Sequence, residues 1–222
     1  MIIDGETMGS KFQFQFPNEG NHTVYIKFRK DTMPGMYSTS QFFSNKEKLL
    51  SVVFSDFDEY LPDLCFDSLF RGCINLVSVD FSKIAVISKS NMRNMFNNCD
   101  NLVYVNFNLK HYFIVEQAHD MFLNCKSLTS IELTKLNISS VTSLSDMFAG
   151  CNSLKSIKIN SFKLSSTTSI NGMFSNCYSL EYIDHSSFRP SKLTDMGAAF
   201  YNCKSLKSIN LNNFYTSRVT NM

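Results

Sequence analysis

From Leu69 onward the apolar positions fall in one order that recurs with a fixed period of 26. An apolar pair comes first: Leu69-Phe70, Met95-Phe96, Met121-Phe122, Met147-Phe148, Met173-Phe174 and Ala199-Phe200. Three residues after each Phe stands Cys73, Cys99, Cys125, Cys151, Cys177 or Cys203. Three further on comes Leu76, Leu102, Leu128, Leu154, Leu180 or Leu206, and three beyond that Val79, Val105, Ile131, Ile157, Ile183 or Ile209. Two more columns follow. One is Phe81, Phe107, Leu133, Ile159, His185 and Leu211; the other is Ile84, Lys110, Leu136, Phe162, Phe188 and Phe214. The unit F-x-x-C-x-x-L-x-x-[VI] occurs six times without an insertion.

Each unit carries two periodicities. Val141, Leu144, Met147, Phe148 and Cys151 follow spacings of three and one, which predicts a short helical segment with one buried face. Ile157 and Ile159 alternate with Ser156 and Lys158, which predicts a short strand. One strand and one returning segment per unit make a coil. A single coil cannot bury its own apolar face, so coils stack into a solenoid. The expected fold is an α/β solenoid with one curved parallel sheet, strands roughly 4.8 Å apart, and short helices opposite. Strands are predicted near 50–54, 76–81, 102–107, 128–133, 154–159, 180–185 and 206–211.

The N-terminal stretch has a different pattern. Phe12, Phe14 and Phe16 alternate with polar residues, and after a Pro-Asn-Glu-Gly-Asn turn signal so do Val24, Ile26 and Phe28. This predicts a β-hairpin over 11–29 that caps the first coil. Residues 1–41 are read as cap and connector, and 42–222 as the solenoid, with a degenerate first coil at 42–65 and a truncated last coil. Leu50 and Val53 lie one full period before Leu76 and Val79, and Ser44-Asn45-Lys46-Glu47 fits a helix capping box. Pro62 predicts an irregular return segment in that coil. At the other end, Val219 and Met222 fall in the columns of Val141 and Leu144, so the array is expected to stop partway into a coil.

The runs MFNNCDNLVYVNF, MFLNCKSLTSIEL, MFAGCNSLKSIKI and MFSNCYSLEYIDH, with the connectors FRPSKLTDM and FYTSRVTNM, resemble the BspA-like class of leucine-rich repeats over residues 66–222. The resemblance implies a right-handed, curved solenoid with its parallel sheet on the concave side. It also implies a surface or extracellular protein acting in adhesion and protein binding. One departure is that the usual Asn after the strand is replaced by the Ile84-to-Phe214 apolar column.

Composition narrows the function classes. The chain has 222 residues, 44% of them hydrophobic, with 21 Phe, 11 Met and no Trp, and the Phe and Met columns account for much of that excess. The net charge is +2, too small to neutralise many phosphates, so no nucleic-acid partner is expected. No apolar stretch is long enough to span a bilayer, so no membrane insertion is expected. Met1 to Ser10 lacks a basic-then-apolar signal pattern, so the chain is expected to be intracellular or already trimmed.

Seven cysteines would leave one thiol over in any closed disulfide framework. There is no C-x2-4-C pair for zinc, and the periodic cysteines read as small buried hydrophobes. His22, His111, His119 and His185 lie in no catalytic motif, and neither a P-loop nor G-x-S-x-G is present. Neither catalytic residues, a metal nor a cofactor is expected.

The remaining candidate surface is the outward side of the sheet. Its first column is Ser78, Tyr104, Ser130, Ser156, Tyr182 and Ser208. Its second is Asp80, Asn106, Glu132, Lys158, Asp184 and Asn210. With Tyr104 and Tyr182 as anchors, this predicts a non-catalytic module that binds a protein or surface polymer. The alternative is a structural spacer or assembly subunit that associates through its chain ends.

Overall fold

The repeat units stack so that each apolar column continues from coil to coil. In the computed structural model the described residues are 2–3, 6–7, 22–27, 40–55, 65–84, 89–107, 112–186, 188–212 and 214–222. The strands are β1 (Ile2–Ile3), β2 (Glu6–Thr7), β3 (His22–Lys27), β4 (Leu49–Ser55), β5 (Ser78–Asp80), β6 (Lys89–Asn91), β7 (Tyr104–Asn106), β8 (Phe113–Gln117), β9 (Leu136–Asn137), β10 (Ser156–Lys158) and β11 (Tyr182–Asp184). The repeat strands pair in parallel, β4 with β5, β5 with β7 and β10 with β11. The expected parallel solenoid is therefore present.

The sheet is not one continuous sheet. Its ladder runs through β7 and resumes at β10, and 128–133 and 206–211 form no strand. Residues 128–133 still alternate: Leu128 and Leu133 are buried, while Thr129, Ser130 and Glu132 are exposed. A second parallel ladder, β6-β8-β9, runs along the segments that precede the Met-Phe pairs. Single bridges extend it through Ser143, Ser169, Asp195 and Asn221. Asp195 Oδ1 there accepts hydrogen bonds from Gly197 N, Asn171 Nδ2 and Asn221 Nδ2 at 3.0, 3.2 and 2.8 Å. The Gly197 bond is the largest of the causes that hold its carboxyl below the usual range.

The first half of the predicted hairpin lies outside the described residues. Its second half is β3, which pairs in parallel with β4 along one edge and antiparallel with β1 along the other. At Val24 and Tyr25 both edges are thus filled, so β3 joins the solenoid sheet directly. The first-coil register also differs from expectation. Val52 pairs with Val79, one position more than the repeat period, and Leu49, Val52 and Phe54 are buried while Leu50 and Val53 are half-exposed. A slip of one residue exchanges the two faces of a strand. Pro62 lies outside the described residues.

The predicted helical segments are absent. Among the described residues the one helical element is a 3-10 turn at Thr216–Arg218. Two residues per coil instead have positive φ. Those five before the cysteine (Ser68, Asn94, Asp120, Asp146, Gly172, Ala198) have φ of 53–62°, and those one before it (Gly72, Asn98, Asn124, Gly150, Asn176, Asn202) have φ of 57–73°. A right-handed helix cannot pass through such residues. Alternate N–H groups then point along the stack. Asp120, Phe122 and Asn124 donate to Ser145, Met147 and Ala149 of the next coil at 3.0, 2.9 and 2.7 Å. Leu123 and Cys125 donate within their own coil to Asp120 and Phe122 at 3.2 and 3.1 Å. The adjacent Met and Phe both point inward because a left-handed residue turns the chain on either side of them. The predicted capping box at Ser44 is likewise a turn, with Asn45 at φ 58°.

Phe43, Phe70, Phe96, Phe122, Phe148, Phe174 and Phe200 form a continuous ring stack, with centroids 5.3–5.9 Å apart and planes within 11° of parallel. Beside it runs the cysteine column. Each periodic thiol donates to the carbonyl of the Phe in the preceding coil, for example Cys125 Sγ to Phe96 O and Cys151 Sγ to Phe122 O, both at 3.2 Å. That carbonyl already accepts the N–H three residues on, Lys46 in the first coil and the coil's own cysteine from Phe70 onward, so a small side chain with a weak donor fills its second lone pair. Burial pushes the thiols of Cys73 and Cys177 up to about 12 and raises those of Cys99, Cys125 and Cys151 well above the usual value. Cys203, half-buried in the last repeat, is pushed up to about 11.

Thiol titration should therefore give a fast phase from partly exposed Cys65, a slower one from Cys203, whose thiol is pushed up, and the slowest from the five buried thiols. Seven groups should react after unfolding without reductant. Fewer than six would show that a disulfide is present.

Candidate functional site on the outward sheet face

In β5, β7, β10 and β11 the central Val79, Val105, Ile157 or Ile183 is buried, so its neighbours on either side face out. Every residue expected to face outward does so. Ser130, Ser156, Ser208, Glu132, Lys158 and Asn210 are exposed, and Ser78, Asp80, Asn106 and Asp184 are half-exposed. Tyr104 and Tyr182 present 55% and 61% of their surface at positions where the other coils carry serine.

Backbone register sets which of them are neighbours. Tyr104 lies beside Ser78 and Asn106 beside Asp80; Tyr182 lies beside Ser156 and Asp184 beside Lys158. Glu132 and Ser130 lie in the unpaired coil between these two groups, and Asn210 lies in the last repeat. The two tyrosines are three coils apart, roughly 14 Å at the usual strand spacing, so they mark separate parts of the face.

The second column also has a local task. Asp80 Oδ1 accepts Ser82 N at 2.8 Å, Asp184 Oδ1 accepts Ser186 N at 3.3 Å and Asn210 Oδ1 accepts Asn212 N at 2.9 Å. These side chains turn the chain as it leaves the strand. Asp184 Oδ2 accepts Asn160 Nδ2 at 3.0 Å, and Glu132 Oε1 accepts Thr134 Oγ1 at 2.9 Å.

Sequence reading missed an apolar element at the N-terminal part of this face. Val77 and Val103 are 40% and 44% exposed, and both Val103 N and Tyr104 N donate to Val77 O, at 2.9 and 3.2 Å. Tyr25 of β3 is also exposed, and it lies in register with half-exposed Val53 of β4. The equivalents of Val77 and Val103 in later coils are Thr129, Lys155, Glu181 and Lys207. The face therefore changes from apolar with tyrosines to charged along the stack. The available signal was the residue just before each outward Ser or Tyr, a position outside the two columns.

Among the described residues no group of three His, Cys, Asp or Glu is placed to hold a metal ion, and no helix is long and apolar enough to cross a membrane.

Comparison with solved structures supports this architecture. The fold resembles a leucine-rich repeat protein from T. pallidum, with a TM-score of 0.61 at 18% identity over 86% of this chain and 80% of that one. A leucine-rich cell surface protein from Faecalibacterium prausnitzii A2-165 aligns over 81% of this chain and 69% of that one, at 18% identity and a TM-score of 0.32, too low to bear on the fold. No curated protein matches the sequence. The family model described as "Mycoplasma protein of unknown function, DUF285" matches residues 37–130 and 116–222. With the repeat carried through both matched segments and the coils stacked as a leucine-rich-repeat-like solenoid, the chain belongs to this DUF285 family of BspA-like leucine-rich repeats.

Proposed function

We propose that the chain is a non-catalytic binding module that takes a protein, or another surface polymer, on the concave face of its sheet, in adhesion at the cell surface. The observation that carries this reading is the pair of tyrosines. Tyr104 and Tyr182 are large rings held in solvent on rigid strands, at positions where serine serves the fold in the other coils. Tyrosine offers a large amphipathic contact area at low entropic cost. In this reading Tyr104 and Tyr182 anchor the partner, and Asp80, Asn106, Glu132, Lys158, Asp184 and Asn210 supply polarity and specificity around them. β3 covers the edge of β4 in the first coil, and the repeats after it carry the binding face.

Tyr104→Ala and Tyr182→Ala should each weaken binding by about 1 kcal/mol or more, about fivefold in Kd, with the circular dichroism spectrum unchanged. Labelled chain titrated onto purified surface proteins gives the measurement. If both variants bind as the parent does, while changes within 216–222 abolish binding, the chain acts through its end as an assembly subunit and the concave-face reading fails.

A further inference from the structure

His185 stands in a column otherwise filled by Phe81, Phe107, Leu133, Ile159 and Leu211. Its half-buried ring meets Phe214 edge-on, with centroids 6.1 Å apart and planes at 64°. Both ring nitrogens face backbone carbonyls. Nδ1 lies 2.9 Å from Ile183 O in β11, and Nε2 lies 2.6 Å from Asn210 O in the following coil. A carbonyl oxygen only accepts. A neutral imidazole has one N–H and can satisfy one of these oxygens; the imidazolium has two and satisfies both.

The bond to Asn210 crosses a gap in the backbone ladder. Among the described residues, no backbone hydrogen bond joins 181–185 to 206–211. Strand pairing ties β5 to β7 and β10 to β11 and reaches neither 128–133 nor 206–211. Here the imidazole does the tying.

We propose that His185 is a protonation-dependent clip that fastens the coil at 206–211 to β11. Doubly protonated, it holds Ile183 O and Asn210 O together; after losing one proton it must release one of them. Imidazole is the side chain that changes charge between pH 5 and 8. Among the described residues, the imidazole makes the one hydrogen bond from 181–185 to 206–211. Phe188 and Phe214 are apolar, and the adjoining coil offers neutral Asn210 and Asn212, with Lys207 at its start. On its own strand Asp184 is already bonded by Asn160 and Ser186, and Lys158 of β10 lies in register with Asp184 rather than with His185. Arg189 follows Phe188 in the turn after β11, and Glu181 precedes β11. Among the described residues His185 makes no ion pair.

Hydrogen exchange on the full chain tests the clip. Protection factors, corrected for intrinsic rates, are compared at pH 5.5 and 8.0 for the amides of Asn212 and Phe214, which donate to Asn210 Oδ1 and Leu211 O at 2.9 Å each, with the 68–73 turn as internal control. The parent should show about tenfold more protection of these two amides at pH 5.5, the scale of a hydrogen bond to a charged group, and no change in the control. His185→Leu, which restores the apolar residue that Leu133 and Leu211 carry, should remove the pH dependence. Equal protection at both pH values in the parent, or pH dependence that survives in His185→Leu, would overturn the proposal. So would a ring nitrogen spectrum at pH 5.5 showing one unprotonated nitrogen while the amides of Asn212 and Phe214 remain protected.

Discussion

Phe148→Ala is expected to destabilise the fold by about 3–5 kcal/mol, the largest effect of any substitution considered for the core. Phe148 is fully buried, with Phe122 stacked 5.5 Å away on one side and Phe174 5.6 Å away on the other. Each such ring pair adds about 0.5–1.5 kcal/mol beyond the area buried. The site cannot collapse to fill the cavity. Phe122 N bonds Met147 O and Phe148 N bonds Met173 O, both at 2.9 Å, so the backbone on each side is held at fixed spacing. Phe200, half-buried with one stacked neighbour in this column, should cost less than half as much when cut to alanine. Urea unfolding of the two variants gives the comparison. Equal losses would show that the stack is not the continuous column described.

The second large effect is at Gly150. Its φ is +73°, and an added Cβ would meet Asn124 Oδ1 well inside contact distance. A β-branched residue there carries left-handed strain of about 1–3 kcal/mol in addition to the clash. Gly150→Val should therefore cost at least about 2 kcal/mol. Gly150→Asn should cost much less. Asn98, Asn124, Asn176 and Asn202 occupy the same position with φ of 57–60°, and where two of them adjoin the amides bond across coils. Asn124 Nδ2 donates to Asn98 Oδ1 and Asn202 Nδ2 to Asn176 Oδ1, both at 2.9 Å. Asparagine at 150 can continue that ladder once Asn124 turns toward it. Thermal unfolding that ranked valine at or above asparagine at this site would contradict the left-handed column.

The repeat, its period and its inward columns were legible because burial leaves one face per strand no choice. From Leu76 onward, each position assigned to the outward face is exposed or half-exposed. The first coil was misplaced by one residue for a physical reason. Leu49-Leu50 and Val52-Val53 are both apolar doublets, so either register gives the Leu-x-x-Val spacing, and only pairing with Ser78 and Val79 selects Leu49 and Val52 as the buried pair. The turns were mistaken for helices because spacings of three and one suit both. The distinguishing signal lay in the polar positions: Asn, Asp and Gly recur five residues and one residue before the cysteines, and these types tolerate positive φ. The β6-β8-β9 ladder was not foreseen, since Lys89-Ser90-Asn91 carries no apolar alternation. The candidate face was legible as geometry in Tyr104 and Tyr182. The exposed Val77 and Val103 beside it were not, because residues ahead of a strand have no fixed facing.

The central claim is that the Met-Phe segments are turns bonded from coil to coil. Hydrogen-bond scalar coupling between Phe122 N–H and a carbonyl carbon tests it most directly. A coupling to Met147 in the next coil is expected, with matching couplings from Phe96 to Met121 and from Phe148 to Met173. A coupling from Phe122 to Ala118, four residues back, is what a helix would give, and it would contradict the claim.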